Sequence, residues 1–119
     1  MARILIVEDS PLVTDAFSIL FRESGYEVDI AATVAQALEV ASVRAPDVIL
    51  LDLSLPDGDG LQVLERLRER NAMPKATLAM TGHGDSRSQK KCIEAGCAEV
   101  LLKPVAIGEL LRRIELHLA

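Results

Sequence analysis

The sequence predicts an α/β fold, a parallel sheet covered by helices on both faces. Three observations carry that reading. Val48-Ile49-Leu50-Leu51 is an unbroken apolar run, as a strand buried on both faces requires, and it closes on one carboxylate, Asp52. Short apolar runs then alternate with amphipathic helical patterns five times over, joined by short connections. Finally, 119 residues, 50% of them hydrophobic, suffice for one packed core and one domain, expected to span 1–119.

Taken in order, Ile4-Leu5-Ile6-Val7 is the first strand and ends at Glu8-Asp9. Ser10-Pro11 has the grammar of a helix start, an N-cap followed by proline in the first turn. Leu12, Ala16, Ile19 and Leu20 recur at helical spacing with Phe17 beside them, and Gly25 stops the helix. Tyr26 to Ala31 alternates, with Val28 and Ile30 opposite Glu27 and Asp29, which predicts an edge strand with one wet face. Thr33 caps a second helix running to about Val43, with Val34, Ala37, Leu38 and Ala41 inward.

Ala45-Pro46-Asp47 turns the chain into the central strand. A Pro/Gly/Asp loop follows Asp52, and Leu61, Val63, Leu64 and Leu67 form the apolar stripe of a third helix. Pro74 breaks that pattern ahead of a fourth strand, Ala76 to Met80, ending at Thr81. The loop Gly82-His83-Gly84-Asp85 leads to a helix capped by Asp85 or Ser86 and closed by Ala95-Gly96. Val100-Leu101-Leu102 is the fifth strand, ending at Lys103-Pro104. The last helix runs from Ile107 to Leu118, with Leu110, Leu111, Ile114 and Leu118 inward. The alternating second strand belongs at an edge and the apolar ones inside. This gives the flavodoxin-like order 2-1-3-4-5, a three-layer α/β/α sandwich with five helices.

Composition narrows the function classes. A net charge of -5 argues against a primary role on nucleic acid or an anionic membrane. Two Phe, one Tyr and no Trp leave little to stack on bases. No apolar run approaches the roughly 18 residues of a membrane span, and none has the form of a secretory signal, so the expected compartment is the cytoplasm. Cys92 and Cys97 have neither redox nor zinc spacing and read as buried, inert thiols.

In the order 2-1-3-4-5 the carboxyl ends of four adjacent strands share one crevice, where open α/β sheets bind ligands. They bring Glu8 and Asp9, Asp52, Thr81 and Lys103. Carboxylates about 4 Å apart repel by roughly 4 kcal/mol at an effective dielectric near 20, so the cluster calls for a cation. Oxygen ligands in small number favour Mg²⁺, which would recruit a phosphate. Lys103 can neutralise a phosphate oxygen, and the Thr81 hydroxyl and a backbone N–H of Gly82 or His83 can donate to others. Asp52 is then the candidate nucleophile, forming an aspartyl phosphate.

Four motifs in this order and spacing, Ile-Leu-Ile-Val-Glu-Asp (4–9), Leu-Leu-Asp-Leu-Ser-Leu-Pro-Asp-Gly-Asp-Gly (50–60), Met-Thr-Gly-His-Gly (80–84) and Glu-Ala-Gly-Cys-Ala-Glu-Val-Leu-Leu-Lys-Pro (94–104), carry a family resemblance. The sequence resembles the receiver domain of two-component response regulators over essentially its whole length, in the single-domain architecture of chemotaxis-type receivers. The resemblance implies a phosphorylation-dependent signalling switch rather than an enzyme acting on other substrates. By it, Asp52 accepts a phosphoryl group from a sensor histidine kinase or phosphotransfer protein. Asp9, Asp52, the backbone carbonyl of Ser54 and, directly or through water, Glu8 hold Mg²⁺. Thr81 is the switch hydroxyl, Lys103 contacts the phosphate, and Lys103-Pro104 is cis. Gly82 leaves the phosphate open to water, while Ser54 and His83 lie where receivers tune phosphoryl lifetime. A downstream protein or fused output domain would read the fourth-helix, fifth-strand, fifth-helix face, where Arg87, Lys90, Lys91, Arg112 and Arg113 lie on the two helices. The sequence departs from the family at Val100, where Phe or Tyr is usual.

Other classes fit less well. A Mg²⁺-dependent aspartyl-phosphate phosphatase would want a second Asp two residues past the nucleophile, where Ser54 stands. A flavin carrier on the same fold would want a hydroxyl-rich loop and aromatics, where Glu8-Asp9 would repel the phosphate. A degenerate receiver would not retain every acid and Lys103.

Overall fold

The computed structural model describes residues 1–82, 84 and 86–119. Elements follow one another as β1 (Arg3–Val7), α1 (Pro11–Glu23), β2 (Glu27–Ala31), α2 (Val34–Val43), β3 (Val48–Asp52), β4 (Ser54–Leu55), β5 (Gly58–Asp59), α3 (Leu61–Glu69), β6 (Ala76–Thr81), α4 (Ser86–Ala95), β7 (Glu99–Leu102) and α5 (Ile107–Leu118). The main sheet is parallel throughout, in the order β2-β1-β3-β6-β7. With the two-residue strands β4 and β5 set aside, this is the predicted 2-1-3-4-5. Those two pair with each other as a small antiparallel hairpin just after Asp52, where the Pro/Gly/Asp pattern predicts loop.

The pleat sorts the core into two layers, because successive strand residues face opposite sides. Ile4, Ile6, Val48, Leu50, Leu78 and Met80 pack against Phe17 and Phe21 of α1 and Leu110 and Ile114 of α5. Leu5, Val7, Ile49, Leu51 and Ala79 pack on the other side against α2, α3 and Cys92 of α4. All five residues of β3 are buried, as its unbroken apolar run requires. β2 lies at the edge; Val28 and Ala31 are buried, Ile30 is exposed, and Asp29 is half-buried against Arg3 and Arg44.

Two local expectations are corrected. On α1 the buried face is Thr14, Phe17, Ser18 and Phe21, with Val13 and Leu20 partly covered. Leu12 and Ile19, placed inward by spacing, are 84% and 60% exposed, and Ala16 is exposed too. Phe17 and Phe21 are both buried and their rings pack at 5.9 Å, so the aromatic pair and not the aliphatic stripe sets the inward face. Ser10 stands at the N-cap position, but its side chain makes no cap hydrogen bond; its backbone N–H instead donates to Glu8 Oε1 at 3.2 Å. The expected Thr33 cap is present, with Oγ1 accepting from Gln36 N at 3.0 Å. The cap of α4 by Asp85 lies outside the described residues, and Ser86 is the first residue of that helix.

Candidate functional site

Register builds the site. Val7 pairs with Leu51, so the next residues, Glu8 and Asp52, stand side by side at the ends of β1 and β3. Asp52 pairs with Met80, and Thr81 with Leu102, so Thr81 and Lys103 each come one step past a paired residue. The Lys103 N–H donates to the Thr81 carbonyl at 2.8 Å, and Lys103-Pro104 is cis, as the resemblance implied. Alternation then sets direction. Glu8 and Asp52 continue the side that packs on α1 and α5, and Thr81 continues the side that packs on α4.

Glu8, Asp52 and Thr81 are buried, while Asp9 is exposed. One ligand oxygen each from Glu8, Asp9 and Asp52 lies within 4.8 Å of the others. The Lys103 ammonium donates to Asp52 Oδ2 at 2.9 Å and to Glu8 Oε2 at 3.3 Å. Asp52 Oδ1 accepts from the backbone N–H of Ser54 at 3.0 Å. Burial, then the adjacent Asp52, pushes the Glu8 carboxyl above the usual carboxylate range, although Lys103 pulls it down. For Lys103, burial favours the neutral amine, but Asp52 and Glu8 together outweigh it and hold the ammonium above its ordinary value.

Three carboxylates against one ammonium leave two formal negative charges, which a divalent cation cancels. The donors are all hard oxygens, the set that suits Mg²⁺ or Ca²⁺ rather than a soft metal. The site therefore fits a divalent ion.

Two openings flank it. A groove of about 500 Å³ lies between α1 and the segment after β7, and Glu8, Lys103, Leu12, Ala16, Pro104 and Ile107 are among the residues that line it. A cleft of about 190 Å³ lies between the hairpin and α4, lined by Ser54, Asp59, Thr81, Ser88 and Lys91. At Gly82 an added Cβ would meet nothing within 4 Å, so that side is open. His83 lies outside the described residues.

A family model for the response regulator receiver domain matches residues 4–115. The chain belongs to that family. As a receiver domain it is a phosphorylation-dependent switch module of two-component signalling. It is 34% identical over 118 residues to the KDP operon transcriptional regulatory protein KdpE of Escherichia coli (strain K12), covering 99% of this chain and 52% of KdpE. It is 37% identical to the DNA-binding dual master transcriptional regulator RpaA of Synechocystis, covering 96% of this chain and 48% of RpaA. The receiver thus spans about half the length of the curated relatives it matches. Among solved structures it is similar to a CheY-like receiver domain protein from Methanospirillum hungatei JF-1, with TM-score 0.90 and 31% identity over 99% of this chain and 94% of that one. The BeF3-activated N-terminal receiver domain of Klebsiella pneumoniae RstA matches with TM-score 0.87 and 28% identity, over 98% of this chain and 97% of that one.

Asp57 and Asp59, which share the acidic stretch with Asp52, stand apart from the receiver's cluster. Asp59 Oδ1 accepts from Leu61 N at 2.9 Å at the start of α3, which its position two residues before a helix could have signalled. Asp57 binds the N-terminus of α2, 23 residues away in sequence, and no local pattern signals that. Cys92 and Cys97 are both free and buried, as expected. No helix among the described residues is long and apolar enough to cross a membrane.

Proposed function

We propose that Asp52 is the phosphoacceptor of this receiver and that its donor is the phosphohistidine of a sensor kinase or phosphotransfer protein. The observation that carries the reading is the pairing of a buried carboxylate, Asp52, with Lys103 at 2.9 Å beside two further acids. A carboxylate oxygen of Asp52 attacks phosphorus; the O–P bond forms as the N–P bond breaks, and the departing imidazole nitrogen is left to take a proton from solvent.

Glu8, Asp9, Asp52 and the Ser54 carbonyl would hold Mg²⁺, which when bound neutralises phosphoryl oxygens and lines up donor and acceptor. Lys103 exchanges part of its contact with Asp52 for a phosphoryl oxygen. Thr81 and the Gly82 N–H close on the remaining oxygens, which stabilises one arrangement of the loops over the other. The open side at Gly82 supports slow hydrolysis of the acyl phosphate by water.

The groove beside α1 suits the donor, since exposed Leu12 and the site residue Lys103 both line it. The α4–β7–α5 face suits the downstream partner or output domain, with exposed Ile93 and Leu102 next to the basic residues of α4. Val100 is half-buried beside the α4-side core, so the signal there travels through aliphatic packing rather than a swinging ring. Residues 1–119 act as one such unit, in the cytoplasm.

The test is intact mass after incubation with acetyl phosphate, with and without Mg²⁺, on the native chain and on Asp52→Asn. A Mg²⁺-dependent gain of one phosphoryl group that disappears in Asp52→Asn supports the assignment. A gain that persists in Asp52→Asn moves the acceptor elsewhere.

A further inference from the structure

The hairpin that follows Asp52 contains only two paired positions, Ser54 with Asp59 and Leu55 with Gly58. An isolated two-residue ladder is not stable in water, so something else must hold it. Its base is closed by the Gly60 N–H, which donates to the Leu53 carbonyl at 3.0 Å, and is tied to the main sheet by the Leu53 N–H, which donates to the Met80 carbonyl of β6 at 3.2 Å. Its tip is held by Asp57. Oδ1 accepts from Val34 N at 2.8 Å and Oδ2 from Ala35 N at 3.1 Å.

Those are two of the N–H groups that an α-helix leaves without intrahelical partners, and Thr33 Oγ1 takes that of Gln36. The N-terminus of α2 is thus an anion site already filled by a carboxylate of the phosphoacceptor hairpin. The N–H of Val34 above all, with that of Ala35 adding to it, holds the Asp57 carboxyl below its usual range against the effect of burial. Asp57 is therefore a charged clamp under ordinary conditions.

We propose that Asp57 is a positioning residue for the metal and phosphoryl site, fixing the Ser54 carbonyl by clamping the hairpin tip to the N-terminus of α2. The proposal rests on the reading of Ser54 as a metal ligand. Among the described residues no hydrogen bond or ion pair joins Asp57 to Glu8 or Lys103, so it acts through the hairpin.

The experiment is Mg²⁺ titration calorimetry on the full chain and on Asp57→Ala, Asp57→Asn and Thr33→Ala, with amide hydrogen exchange across 54–59 in metal-free protein. Thr33→Ala removes a cap from the same helix without touching the hairpin, so it reports loss of helix stability alone. Asp57→Ala should weaken Mg²⁺ binding about fivefold, the ratio that corresponds to one lost cap, and speed exchange across the hairpin. Asp57→Asn, which keeps an acceptor oxygen, should lie between it and the native chain. Thr33→Ala should keep native Mg²⁺ affinity and hairpin exchange while unfolding at a lower temperature. Native Mg²⁺ affinity in Asp57→Ala, or an equal loss in Thr33→Ala, overturns the proposal. Asp52→Asn is titrated alongside. If it binds Mg²⁺ as tightly as the native chain, the metal-site reading itself fails, and the clamp proposal falls with it.

Discussion

The Lys103 ammonium lies 2.9 Å from Asp52 Oδ2 and 3.3 Å from Glu8 Oε2, one cation bridging two buried carboxylates. Lys103→Gln leaves those carboxylates facing each other. Loss of a charged partner from buried groups costs about 1–3 kcal/mol, and the 37% exposure of the Lys103 side chain puts the expected loss at the low end. Mg²⁺ should restore more stability to Lys103→Gln than it adds to the native chain, because it replaces the missing positive charge. Urea unfolding with Mg²⁺ and with a chelator measures both effects.

Gly60 is buried with helical backbone angles, so its φ does not require glycine; close approach does. In Gly60→Ala the new Cβ would sit 2.2 Å from the Asp52 carbonyl oxygen and 3.0 Å from Leu53 Cα, both of them backbone atoms that have little room to give. Overpacking of this kind costs about 1–3 kcal/mol or more. The same shift moves the hairpin, so thermal unfolding and Mg²⁺ affinity should both fall.

Cys92 and Cys97 are held together by the end of α4. The Cys97 N–H donates to the Cys92 carbonyl and the Gly96 N–H to that of Ile93, with Gly96 at φ +110°, the pattern of a Schellman cap. Burial, then the neighbouring Cys92, pushes the Cys97 thiol up to about 12. Neither thiol should react with an aromatic disulfide reagent at pH 8 in the native protein, and both should react in denaturant. Rapid native-state labelling would contradict this burial.

Asp29, in the middle of the edge strand β2, contributes a pH dependence apart from the site. Burial favours its neutral form, but hydrogen bonds and charge from Arg44 and Arg3 outweigh that and hold its pKa below the usual carboxylate range. A lowered acid contributes stability that is complete above its unfolded pKa, near 4, and is lost as pH falls through its folded value. Asp29→Asn should therefore lose stability at pH 7 and show a flatter stability curve below about pH 4 than the native chain. Urea midpoints from pH 2.5 to 7 measure the difference.

Most of the site was legible in the sequence because its residues close strands whose order the apolar pattern dictates. Glu8, Asp52, Thr81 and Lys103 each follow a run with a strong periodic signature, and parallel register does the rest. The inward face of α1 was not legible. Leu12, Ala16 and Ile19 form as good a helical stripe as the one that is buried, and only the space between β1 and α5 selects Phe17 and Phe21. Exposed Leu12 on the groove wall is the consequence.

By itself the sequence determined the strand and helix alternation, the sheet order, the family and the acid, hydroxyl and lysine set at the strand ends. The elements and their order follow from local periodicity and chain connectivity, and the family from the resemblance of four motifs, all of them properties of neighbours along the chain. Tertiary structure alone decided which acids share Lys103 and that Asp57 binds the N-terminus of α2. Asp57 and Asp52 lie five residues apart in one acidic loop, yet one binds α2 and the other Lys103. That division depends on distances across the fold, because a carboxylate settles with whichever unpaired donor the packed backbone brings within reach.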